Sequence, residues 1–397
     1  MAVPRSVRAL LIKLKRVREQ SGISSQELER RLILGPGWVE RFESGEIVPT
    51  VDVLLAMLHA LGRSLQDLGA DPDTDATGFG IDRYIFAEPA TDNPGDLLVR
   101  FRYAKHDATY RLVDASVAQF DSVIREMRDG LARLLAVPED RADVLKAIKV
   151  EAVARTFLKA VSLWTNTNPS DLWTFVVSRS YYDPFNHPAD YARLNLDQSW
   201  KRTGGWALEE IFVRHYGAFL HERGVKMYIA PADEKRRILA RLKVADRLEA
   251  DKVDVMLSGT VAGRDEFFGV CHVKASIAER RTDDVPLSRA LIKAGYTSPF
   301  LTMDCKSGPS ESPVNRGELG SVLRGKTDER SAKRKDIEDD GYFSACFSYN
   351  RNTIPTPQKQ RAKARIYVCD FSDPDDAFSE FVLAEWKRFG SSRIRRR

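Results

Sequence analysis

From Gly269 to Asp284 the chain reads GVCHVKASIAERRTDD. Its first part, Gly269-Val270-Cys271-His272-Val273, is an apolar run of strand length that ends in Lys274. A run this short, carrying β-branched residues, predicts a buried strand with a lysine at its end. The second part is charged, and Asp283 and Asp284 stand just ahead of Pro286, where the first turn of a helix is expected. Upstream, Val253-Asp254-Val255 sets one carboxylate between two β-branched residues at the start of another strand. Further back, Gly204-Gly205-Trp206-Ala207-Leu208-Glu209 opens a helix over 206–221, with an acid on its core-facing side. Strand candidates lie at 226–229, 253–257, 267–273, 300–303, 342–349 and 365–370, and a final amphipathic helix covers 377–389. A helix first, then strands separated by helices, predicts an α/β (α+β) domain around a central mixed β-sheet across 200–397.

An acid and a lysine at the ends of adjacent strands, with a further acid from a nearby helix, suit metal-assisted phosphodiester cleavage. Carboxylates are hard oxygen ligands that hold Mg²⁺ and leave positions for water and phosphate. The metal acidifies the attacking water and offsets charge on the phosphorus, while the lysine orients the water and stabilises the phosphorane. The plain structural alternative is that Asp254 caps a turn and Lys274 snorkels from a strand end.

The residues after Lys274 separate the two. Lys274 to Asp284 (KASIAERRTDD) resembles the PD-(D/E)XK restriction endonucleases, and within them the BsaWI-like group that cuts CCGG-containing sites. In that group the catalytic lysine is succeeded by an R-(D/E)-R signature, and here Ala278-Glu279-Arg280 stands at that spacing, with Arg281 next. The resemblance implies that Glu279 accepts from cytosine N4 while Arg280 and Arg281 donate to guanine O6 and N7. It implies a type II enzyme making Mg²⁺-dependent double-strand breaks at a short palindromic site with a CCGG core. Glu209, Asp254 and Asp284 would shape the metal site and Lys274 would handle the water. Two departures stand out: Ala278 replaces the first arginine, and His272 replaces the acid of the usual E-x-K. In the family the displaced acid moves to the next helix; the counted position is Leu287, so Asp283 and Asp284, one turn earlier, are the candidates, with Asp284 preferred. The likeness runs from about Trp200 to Phe389, including 301–307 (LTMDCKS) and 314–320 (VNRGELG). A palindromic site further implies a homodimer with twofold symmetry, and the family implies a protecting DNA methyltransferase in a prokaryotic cytoplasm.

The first 68 residues form an all-α unit. Leu14-Lys15-Arg16-Val17-Arg18, Gly22-Ile23-Ser24, Gln26-Glu27-Leu28, the run from Val39 to Gly45, Pro49-Thr50 and the leucines from Leu54 to Leu61 resemble a Cro/CI-type helix-turn-helix. Its third helix begins Gly35-Pro36-Gly37-Trp38, which offers almost nothing to base edges, so auxiliary DNA contact and dimerisation or scaffolding both remain open. Residues 69–82 are polar and rich in breakers and read as a linker. Next comes a mainly helical domain over 83–199: a hairpin at 98–104 and 109–113, a helix behind an Asp114 cap, a second helix after Pro138, and a loop at 181–188 (YYDPFNHP).

Bulk properties set outer limits. The net charge of +5 is compatible with nucleic acid without arguing for it. Basic residues crowd at Arg324, Lys326, Arg330, Lys333, Arg334 and Lys335, and again at Arg393 and 395–397, as solvated surface or as phosphate contacts. The four cysteines lie in apolar runs without a C-x-x-C pair, which argues against zinc, and the six histidines are scattered and read as structural. No membrane-length apolar run and no signal peptide is seen. A metallopeptidase would need H-E-x-x-H, whereas His221-Glu222 is continued by Arg223-Gly224. A helix-turn-helix regulator with a C-terminal sensing domain, or an antiphage or repair nuclease without fixed specificity, are the competing classes.

Overall fold

The first helix, α1 (Arg5–Gln20), stops at Gly22, which takes the left-handed region at φ 67°. Ser24 then caps α2 (Ser25–Leu32), its hydroxyl accepting from the Glu27 N–H at 3.0 Å. The third helix, α3 (Trp38–Glu43), starts on Gly37 with no side-chain cap of its own; buried Glu29 replaces one by accepting from the Val39 N–H at 2.9 Å. Thr50 caps α4 (Val51–Ala60). Leu14, Leu28, Val39, Phe42, Leu54 and Met57 make a separate small core, braced by Arg18 donating to Glu43 at 2.6 and 2.9 Å.

This computed structural model describes residues 5–63, 85–103, 106–137, 141–181, 196–241, 253–261, 263–277, 280–305, 315–322 and 328–394. The expected linker, the loop after Tyr181, and the basic residues Arg324, Lys326 and 395–397 lie outside them.

Three antiparallel strands come next: β1 (Ile85–Pro89), β2 (Leu97–Tyr103) and β3 (His106–Leu112), in that order. The hairpin agrees with expectation, and β1 adds a strand to it. The cap of α5 (Val117–Ala132) is a correction: Ser116 serves it, in a reciprocal capping box with Gln119, while Asp114 sits at φ 52°. Asp114 turns the chain instead, its N–H donating to Asp96 at 3.1 Å. Then come α6 (Ala142–Leu163), α7 (Pro169–Tyr181) and the long α8 (Leu196–His221).

The second sheet contains β4 (Val225–Tyr228), β5 (Val255–Val261), β6 (Arg264–Lys274), β7 (Phe300–Thr302), β8 (Cys346–Ser348) and β9 (Ile366–Val368). Between them run α9 (Ala232–Arg241), α10 (Arg280–Lys293) and α11 (Ala332–Glu338), and α12 (Ala377–Ile394) closes the chain. The strands lie in sequence order; β4–β5 and β5–β6 are antiparallel and the last three junctions parallel, so the sheet is mixed, as expected. The last three strands are shorter than their apolar runs, because Met303 and Tyr349 stay buried beyond the ladder.

One face of this sheet and helices α5 to α8 share a core running from Leu97 to Phe389, and position 200 falls inside α8. The opposite face packs α10 through Leu287 and Leu291, and α11 through Ile337. All four cysteines are free and buried. Among the described residues no helix is long and apolar enough to cross a membrane.

The parallel half of the sheet meets β6 through a glycine. Val270 N–H donates to Thr297 O at 3.1 Å, and Thr297 N–H to Phe268 O at 2.9 Å. A Cβ on Gly269 would lie 2.4 Å from Thr297 Cγ2 and 2.5 Å from its carbonyl oxygen. Gly269→Ala should therefore cost about 1–3 kcal/mol. Gly205→Ala, where nothing lies within 4 Å of the added carbon, should gain about 0.5–1 kcal/mol in its helix. Urea midpoints check both, and equal effects would remove the requirement for glycine at 269.

Candidate active site

Asp254 immediately precedes β5 and is 3% exposed. Its carboxylate accepts the Val273 N–H at 2.9 Å, and Lys274 Nζ lies 2.9 Å from Oδ1 and 2.8 Å from Oδ2. The acid is thus pinned across the β5–β6 ladder, whose register pairs Val255 with Cys271. Behind it, the Val253 carbonyl accepts from Lys235 Nζ of α9.

Strand alternation on β6 divides its side chains. Cys271 and Val273 enter the main core, and His272 and Lys274 point to the other face, toward α10. There Asp284, 1% exposed, brings Oδ1 to 4.0 Å from Lys274 Nζ and 3.7 Å from His272 Nδ1. The His272 ring is fully buried, its Nε2 lies 2.9 Å from Ser298 Oγ, and its edge meets Phe343 at 5.3 Å between centroids. One ligand atom from each of Asp254, His272 and Asp284 can be chosen so that all lie within 4.8 Å of one another.

Glu209 comes from α8. Burial, and then the Asp254 charge, push its carboxyl well above the ordinary carboxylate range, while Lys274, Lys235 and Lys146 pull it back. Lys146 of α6 stacks on the ring of Trp206, 3.6 Å from its centroid, on the turn before Glu209. Asp254 and Asp284 thus flank the Lys274 ammonium, and Glu209 feels the charges of Asp254 and Lys274, an oxygen-rich set of the kind that fits a divalent cation.

Of the four residues expected at the centre, the structure brings Asp254, Lys274 and Asp284 together, and Glu209 is near enough to feel the charges of Asp254 and Lys274. Leu287 is fully buried in the apolar cluster under the sheet, so the counted helix position offers no acid and the turn before it does. Glu279 lies outside the described residues, as do the side chains of Arg280, Arg281 and Asp283, although Arg280 opens α10. The sequence reads His272 as structural, and the structure sets it beside the acids; the missed signal is its spacing of two residues from Lys274, which on a strand means a shared face.

Glu318 falls within the resembling stretch 314–320, but sequence reasoning gives it no role. Its carboxylate accepts from the Ile277 N–H at 2.5 Å and from Ser276 Oγ at 3.1 Å, and pairs with Lys333 at 2.9 Å. It therefore clamps the chain leaving Lys274 just ahead of position 278. Its own N–H donates to buried Asp304 at 2.6 Å, whose carboxyl burial pushes up to about 6. Gly317, at φ 76°, is needed beside it, because a Cβ there would lie 2.3 Å from Asp304 Oδ2.

The described residues of the basic stretch are paired with acids of the same region. Arg330 pairs with Asp328, Glu338 and Asp339, Lys335 with Asp328, and Arg334 forms a fully buried pair with Glu338 at 2.8 Å. Those charges are committed within the fold.

A helix-turn-helix domain family matches residues 9–70. Over 243 residues the chain is 38% identical to the type II restriction enzyme AgeI of Thalassovita gelatinovora, covering 59% of this chain and 84% of that one. The crystal structure of a specific AgeI–DNA complex aligns with a TM-score of 0.59 and 32% identity, over 72% of this chain and 99% of that one. A pre-specific BsaWI–DNA complex aligns at a TM-score of 0.34 and 13% identity, over 67% and 93%, too distant to argue from.

Removing the Glu318 clamp has a local readout. Glu318→Ala should raise amide hydrogen exchange at Ile277 at least tenfold and lower stability by about 1–3 kcal/mol, as expected when a buried acceptor is removed. Unchanged exchange at Ile277 would mean that the segment is held by other contacts.

Proposed function

The chain belongs to the family of the type II restriction enzyme AgeI and is a site-specific deoxyribonuclease; from that premise we propose that it binds double-stranded DNA and makes Mg²⁺-dependent double-strand breaks at a short palindromic site with a CCGG core. The observation that carries this reading is the Asp254–Lys274 pair at the ends of adjacent strands, with Asp284 delivered beside it by the next helix.

In this reading Asp254, Asp284 and Glu209 hold the metal. When bound, Mg²⁺ would acidify the attacking water and offset charge on the phosphorus. Lys274, already anchored at Asp254, orients that water and donates to a non-bridging phosphate oxygen as negative charge grows there. Asp254 stays in place because the Val273 N–H holds it independently of the lysine. Burial around Asp284 and His272 excludes bulk water, which strengthens each of these interactions.

Glu279, Arg280 and Arg281 read C·G pairs from the start of α10, and Ala278 leaves one guanine contact to Arg281. The palindrome requires a homodimer. The N-terminal module (1–68, with a linker over 69–82) is auxiliary, since α3 opens on Gly37 and Trp38. The parts 83–199 and 200–397 build the nuclease body, in a prokaryotic cytoplasm protected by a cognate methyltransferase.

Digestion of a mixed plasmid substrate with Mg²⁺, and with EDTA as control, and then end-sequencing, tests the whole. Discrete Mg²⁺-dependent fragments sharing a C·G-centred palindrome are expected. Lys274→Ala should abolish cutting and retain binding; retained cutting would remove the lysine from the chemistry. Arg280→Ala should lose about 1–3 kcal/mol of specific binding and relax the site at one base pair. An unchanged site preference would exclude Arg280 from base reading.

A further inference from the structure

We propose that His272 is a further protein ligand of the metal beside the carboxylates, so that this site is a mixed nitrogen–oxygen one that binds Mn²⁺ much more tightly than Mg²⁺. The proposal rests on the reading above, in which Asp254 and Asp284 hold a divalent cation.

His272 is fully buried, and its Nδ1 has no hydrogen-bond partner among the described residues. That nitrogen points toward Asp284 Oδ1 at 3.7 Å, beyond hydrogen-bonding range. With the proton on Nε2, a lone pair on Nδ1 faces a buried carboxylate across that gap, which is unfavourable unless a cation lies between them. The gap has the right size: donor atoms around an ion held at about 2.1 Å stand on the order of 3–4 Å apart. The chosen atoms of Asp254, His272 and Asp284 lie within 4.8 Å of one another, so a contraction of side chains alone would close the set.

The far side of the ring supports the same role. Nε2 meets Ser298 Oγ at 2.9 Å, and Ser298 is itself fixed by its N–H donating to Ser344 Oγ at 2.9 Å. With the proton on Nε2 and Ser298 accepting it, Nδ1 presents its lone pair to the carboxylates. A ligating histidine is ordinarily held in this way, by a partner on its other nitrogen. A histidine at the position where the usual E-x-K carries an acid then adds a nitrogen donor to the carboxylates. Imidazole favours Mn²⁺, Co²⁺ and later metals over Mg²⁺, which prefers oxygen and keeps its waters.

The test is pulsed electron paramagnetic resonance of Mn²⁺ added to the wild-type protein, with Mn²⁺ and Mg²⁺ affinities from calorimetry. A directly bonded ¹⁴N coupling is expected in the wild type. It should vanish in His272→Gln and persist in His215→Gln, and His272→Gln should weaken Mn²⁺ at least tenfold and Mg²⁺ less than twofold. Thermal melts establish that the variants fold, and the wild-type ¹⁴N signal stands without any variant. Mn²⁺ binding that Asp254→Asn abolishes, but without ¹⁴N coupling, would overturn the histidine ligand and leave the carboxylate metal site intact. No binding of either metal would overturn both.

Discussion

The site depends on one buried carboxylate being satisfied by its neighbour strand. Asp254 sits where a charge is expensive, and it is tolerated because the Val273 N–H and the Lys274 ammonium both point at it. The backbone bond fixes the carboxylate to the β5–β6 register, so a slip of one residue would turn His272 and Lys274 into the opposite core and strand the acid. Fold and chemistry are thereby locked to the same hydrogen bonds.

Other constraints keep that lock in position. Gly269 lets the Thr297 backbone close against β6, which is how the antiparallel half of the sheet becomes the parallel half. Glu318 ties the chain after Lys274 to α11, and α11 is anchored by Arg334, which donates to the Leu319 carbonyl and pairs with Glu338 inside the protein. A buried pair of this kind adds little net stability, but removing one partner leaves an uncompensated charge. Its use here is to fix the geometry of loops that carry Glu318. Side chains held by such supporting contacts are the ones that keep a reacting geometry within a fraction of an ångström.

How much of this is legible in the sequence depends on how local each signal is. The buried strand ending in Lys274 and the lone acid of Val253-Asp254-Val255 are visible because hydrophobic patterning isolates them. Asp284 is suggested by its position one turn from Leu287, and the structure sets its carboxylate beside Lys274 and His272. Interactions between distant segments are hidden. Glu318 and Ile277 are far apart in the chain, and the basic run around Arg334 looks like surface because its partner Glu338 is one helical turn away in a stretch that is polar throughout. Asp114 and Ser116 are both good caps, and only the turn at Asp96 shows which one the helix uses.

The charge balance of the site explains why the cluster is kept. Asp254 and Asp284 place two carboxylates beside the single Lys274 ammonium, and Glu209 feels the charges of Asp254 and Lys274. Two further lysines stand nearby, Lys146 stacked on Trp206 and Lys235 bonded to the Val253 carbonyl, and their charges also act on the Glu209 carboxyl. The strain shows in Glu209, which burial and Asp254 together drive toward its protonated form. A protein selected only for stability would replace such a cluster by apolar residues of similar volume. The cluster stands at the end of the central strands, with α8 rooted in the shared core on one side and α10 on the other, and the proposed function gives it a binding role. In the proposed function a divalent cation would relieve the repulsion among these carboxylates and make room for a phosphate that they alone would repel.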